Sequence, residues 1–83
     1  MDVVVNILRM ARINREPGVY APCDCWLVDG GVDNKCFMGA TYDPVEDKLT
    51  IPVKGNPRLN PEERQRVTAE IRRLLLDAKI ISD

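Results

Sequence analysis

Apolar residues recur at spacings of four, three, four and three through Val67, Ile71, Leu74, Ala78 and Ile81, and Leu75 widens the stripe. That period predicts one amphipathic helix of about five turns with a buried apolar face. Asn60-Pro61-Glu62-Glu63 supplies its start: a capping side chain, a proline at the first helical position and two acids at the positive end of the helix dipole. The opposite face carries Arg66 with Glu70 and Arg73 with Asp77, each pair four residues apart, so much of its charge is neutralised within a solvated surface.

Upstream the period changes to two. In Lys48-Leu49-Thr50-Ile51-Pro52-Val53-Lys54 the odd positions are apolar, which predicts a half-buried strand with Leu49, Ile51 and Val53 inward. Pro52 cannot donate a ladder hydrogen bond, so this strand belongs at a sheet edge. Asp43-Pro44-Val45-Glu46-Asp47 has turn chemistry, and residues 35–42 read as the antiparallel partner. Residues 19–28 form a further strand, closed by the loop Asp29-Gly30-Gly31-Val32-Asp33-Asn34. The first segment has two readings. Three consecutive valines favour a strand, whereas the polar set Asp2, Asn6, Arg9 and Arg12 is spaced as on one side of a helix, which tips the expectation toward a helix ending at Asn14-Arg15-Glu16-Pro17-Gly18. The expected fold is α+β: a three-stranded antiparallel meander packed against a long C-terminal amphipathic helix, with an N-terminal helix or a fourth strand.

Eighty-three residues accommodate a single domain, 1–83, near the lower limit of independent stability, where a partner subunit helps. Twelve Lys and Arg against thirteen Asp and Glu give a net charge of −1, which disfavours non-specific binding to nucleic acid or a membrane surface. The apolar run from Val3 to Leu8 is broken by Arg9, Arg12 and Arg15 far short of a membrane span, and Asp2 stands where a signal peptide carries positive charge. Three cysteines cannot all pair within one chain, which points to reduced thiols and a cytoplasmic location. There is no histidine, and Ser82 is the only serine, so the residues that most often carry nucleophilic and general-base chemistry are missing. No cofactor motif is present and no enzyme is expected.

Pleat alternation, continued from Val19, puts Cys23, Cys25 and Leu27 toward the helix, joined by Cys36, Met38 and Ala40 from the next strand. Tyr20, Trp26 and Phe37 then share the opposite face. An apolar aromatic face opposite the helix needs a cover, and Trp and Tyr are common interface anchors. The function expected is therefore that of a non-catalytic intracellular interaction module, a homodimer acting as a regulator or inhibitor by occupying a partner surface, on the scale of those encoded by mobile genetic elements. Its binding residues would be Tyr20, Trp26 and Phe37 with Arg9, Arg12 and Arg15, and its partner another protein or a second copy of the chain.

Two alternatives rest on other residues. The N-terminal arginines with those of the last helix would suit a nucleic-acid-binding module. A helical first segment would even give the element order of double-stranded RNA-binding domains, but Glu62 and Glu63 stand where such a domain meets phosphate with lysines, and no family is assigned. Cys23, Cys25 and Cys36 are candidates for a thiol or metal site, ranked behind core packing because a fourth ligand is missing and Asp24 points to the other face.

Overall fold

A computed structural model describes residues 1–14 and 22–82. Four strands, β1 (Val3–Asn14), β2 (Pro22–Val32), β3 (Lys35–Asp43) and β4 (Lys48–Thr50), precede one helix, α1 (Pro61–Asp77). The sheet is antiparallel throughout with spatial order β1-β2-β3-β4, so β1 and β4 are its edges. This is the expected α+β fold, with the first segment as the fourth strand.

The helix expected at the N-terminus is thus replaced by a strand, and a bulge explains the misleading spacing. Val3, Val5 and Ile7 turn toward the core in strict alternation, as β-branched residues on a pleated strand do. The β1–β2 register then slips between Ile7 and Arg9, with Leu8 as the extra residue. Asn6 and Arg9 consequently share a face although three positions apart, which in sequence imitates a helical repeat.

β2 also runs further than expected, through Gly30 and Gly31 to a two-residue turn at Asp33-Asn34, where Asp33 takes a φ of 52°. Asp33 ties this turn to the start of β1, accepting from the Asp2 amide at 3.0 Å and donating its own amide to the Asp2 carbonyl at 2.8 Å. A second bulge lies where β2 passes β3, with Gly39 at φ 71°. Beside it Asn56 imitates a strand residue, accepting from the Met38 amide at 2.9 Å and donating to the Met38 carbonyl at 3.0 Å. β4 stops at Thr50. Leu49 is buried and Ile51 packs on the core, but Val53, expected inward, is 82% exposed.

The cap of α1 is as the sequence implies. Asn60 Oδ1 accepts from the Glu63 amide at 2.8 Å, and Glu63 Oε1 accepts from the Asn60 amide at 2.9 Å, closing a capping box. Lys35 Nζ donates to the same Glu63 oxygen at 2.8 Å, tying the start of α1 to the start of β3. The expected Arg73–Asp77 pair forms at 2.8 Å, whereas Glu70 is bound by Arg73 rather than Arg66. Val67, Ile71 and Leu75 point into the sheet, and α1 lies chiefly over β1, with β2 and β4 at its margins. The core consists of Val28, Val32, Phe37, Ala40, Tyr42 and Leu49 from the sheet with Leu59, Val67, Ile71 and Leu75.

Candidate functional site

Residues directly opposite on neighbouring antiparallel strands share a face, so the register assigns every described position. Val28 pairs with Ala40, Gly30 with Phe37, and both Trp26 and Leu49 with Tyr42. All of these lie beneath α1. Phe37 and Tyr42 are fully buried, and Trp26 is half-buried against the same cluster. The expected aromatic face away from the helix is therefore not formed by Trp26 and Phe37, while Tyr20 lies outside the described residues. The alternation of β2 has the opposite phase to the one expected, for an energetic reason: turning Trp26, Val28, Phe37 and Tyr42 inward removes far more apolar area from water than turning three thiols inward. Cys36 and Met38 are correspondingly exposed, and only Ala40 of the expected β3 set faces the helix.

The arginine set is divided as well. Arg9 pairs with Leu27 on the helix-free face, whereas Arg12 sits opposite Asp24 on the other face, its Nε 3.0 Å from the Asp24 carboxylate. That bond, more than the accompanying charge attraction, raises the guanidinium pKa. Arg15 lies outside the described residues. Two arginines on opposite faces, one already paired, do not make a phosphate-gripping row. Along α1, Arg73 is committed to Glu70 and Asp77, and Arg64 donates to the Leu49 carbonyl.

What the helix-free face does bring together is Cys23, Cys25 and Asp43. The two cysteines occupy alternate positions of β2, opposite Ile13 and Ala11 of β1, with their sulfurs 3.1 Å apart. Asp43 enters from the end of β3, and its carboxylate and the two sulfurs lie within 4.8 Å of one another. Cys25 is 2% exposed and Asp43 4%, yet neither belongs to the cluster beneath α1. Asp43 Oδ1 also accepts from the amides of Val45 at 2.9 Å and Glu46 at 3.3 Å, which fixes the carboxylate and shapes the β3–β4 turn. Asp43 reads from sequence only as a turn residue, because its approach to the cysteines depends on strand register. Cys36, grouped with the other two in sequence, pairs with Gly31, six positions from Cys25 along β2, roughly 20 Å at the usual rise.

The remaining feature is the outer edge of β1. It is 12 residues long, no other strand among the described residues pairs with that side, and Val4, Leu8 and Met10 on it are 63%, 57% and 51% exposed. No helix among the described residues is long and apolar enough to cross a membrane. No protein-family model, curated protein or solved structure matches the chain.

Proposed function

We propose that the chain is a non-catalytic interaction module that forms a homodimer by antiparallel pairing of β1 with β1 of a second copy, and that the dimer acts as a regulator or inhibitor by covering a surface of a partner protein. The observation that carries this reading is the long apolar edge strand. Such an edge presents a row of backbone donors and acceptors ready for another strand, and proteins that remain monomeric usually blunt it with charged side chains, proline, bulges or short length. β1 is long and has no lysine or proline; its one bulge and its two arginines lie at and beyond Leu8, which leaves the Val3 to Ile7 stretch without a blunting device.

The sequence of β1 suits a copy of itself. Asp2 stands at one end and Arg9 and Arg12 toward the other, so antiparallel alignment lays each acidic end beside the partner's basic end. The twofold axis relating two such edges is perpendicular to the sheet. Both helices then lie on one side, and the partner meets the other side of the eight-stranded sheet where it is exposed, around Asn6, Arg9, Cys36 and Met38, since Cys25 and Asp43 on that side are already covered. Cys23, Cys25 and Cys36 form no disulfide, which suits work in a reducing cytoplasm. The missing histidine and near-absence of serine support a role in binding rather than catalysis.

Sedimentation velocity at tens of micromolar tests the proposal. The expected result is a dimer that reverts to a folded monomer in the Val4→Lys, Leu8→Lys double variant, since both side chains are exposed and their replacement leaves the core intact. A wild-type monomer, or a dimer indifferent to the two lysines, contradicts it.

A further inference from the structure

We infer that Cys23, Cys25 and Asp43 form a binding site for a thiophilic divalent cation of the zinc class. The inference is independent of the dimer, because these residues lie on β2 and at the end of β3 rather than on the β1 edge.

Three observations converge on it. The ligand atoms are of the types zinc accepts, two sulfurs and a carboxylate oxygen, and they come from two hydrogen-bonded strands that hold them within 4.8 Å of one another. With Zn–S near 2.3 Å and Zn–O near 2.0–2.2 Å, two sulfurs on one tetrahedral ion stand about 3.7 Å apart. The present 3.1 Å separation therefore needs to open by only about half an ångström, a side-chain rotation rather than a strand movement. The second observation is burial: with the carboxylate 4% exposed and the thiol beside it 2% exposed, an ion held there would be largely shut off from water, so its attraction to thiolate and carboxylate would be little screened. The third is orientation: the Val45 and Glu46 amides hold Asp43 Oδ1, as outer partners hold metal-ligating carboxylates.

Two S–H bonds break and their protons pass to solvent, two S–metal bonds and one O–metal bond form, and the ion sheds water while keeping a fourth position for solvent or a ligand from outside the site. No electron is transferred. Cys36 takes no part.

Cobalt(II) is the probe, because its thiolate complexes absorb in the near ultraviolet and zinc displaces it. The reduced full-length chain, titrated anaerobically with Co²⁺, is expected to develop a thiolate-to-cobalt charge-transfer band that saturates at one ion per chain. About two protons should be released per ion, and one equivalent of Zn²⁺ should remove the band. Cys23→Ser, at a half-buried position, should weaken binding on the order of 100-fold and Asp43→Asn about 10-fold, with Cys36→Ser unchanged. X-ray absorption of the wild-type cobalt complex gives a reading that needs no variant: two sulfurs and at least one oxygen in the coordination sphere. Absence of the band at one equivalent, fewer than two sulfurs, or binding that survives Cys23→Ser or is abolished by Cys36→Ser alone overturns the inference.

Discussion

A methyl group on Gly30 would stand 2.4 Å from the Val4 carbonyl oxygen and 3.1 Å from the Phe37 ring. The glycine is there because the β1 main chain at Val4 and, less closely, the ring of Phe37 opposite it on β3 occupy the place a side chain would take. Gly39 is needed for a different reason: its neighbourhood is open, but its φ of 71° is strained for any side chain. Gly30→Ala is therefore expected to destabilise the chain by about 3 kcal/mol through a main-chain clash, and Gly39→Ala by only about 1 kcal/mol through backbone strain. Urea unfolding of the two variants measures the difference, and equal losses contradict the close approach of the Val4 carbonyl to Gly30. Gly30-Gly31 in sequence looks like a reversal, since loops and close contacts recruit the same residue. The capping role of Asn60 was legible because all its partners lie within three positions. The meeting of Asp43 with Cys23 and Cys25 was not, because it depends on the alignment of β2 with β3.

At the scale of elements, α1 was readable in its start and, through Val67 and Ile71, in its face; beyond them Leu75 rather than Leu74 is the fully buried residue, and the helix ends at Asp77 with the expected Ala78 exposed as its C-cap. β1 was not readable, because the bulge at Leu8 inserts a residue into a period of two and makes Asn6 and Arg9 look helical. The phase of β2 was lost for a related reason. Residues 23–28 carry apolar side chains on both faces, so alternation alone does not say which face wins, and the three rings decided it. The join between α1 and β3 gives a pH prediction. Lys35, and after it the Asn60 amide, hold the Glu63 carboxyl below its ordinary value of 4.5. Because the folded value is the lower one, the stabilisation is complete above the ordinary value and is lost as pH falls through the folded value. Thermal unfolding of Glu63→Gln followed from neutrality into acid should therefore show a shallower loss of stability than the wild type. Parallel curves would falsify this account of the α1–β3 tie.

The described residues form one helix on one four-stranded sheet, and the principal extents are 37 × 32 × 20 Å. The helix buries one face of the sheet, and two features stand apart from the core cluster beneath it: the buried thiol–carboxylate cluster on the helix-free face and the apolar edge of β1. The arrangement as α+β followed from the order of periods along the chain. The position of the working surface did not, because it rests on which strand ends the sheet, and no local pattern in β1 distinguishes an edge from a centre. Pairing of that edge with itself is seen most directly in a sample mixed from isotopically labelled and unlabelled chains. Intermolecular nuclear Overhauser effects between α-protons of β1 in one copy and β1 in the other, in antiparallel order, are the predicted result. Their absence, with the outward amides of β1 exchanging at the rate of free peptide, would contradict it.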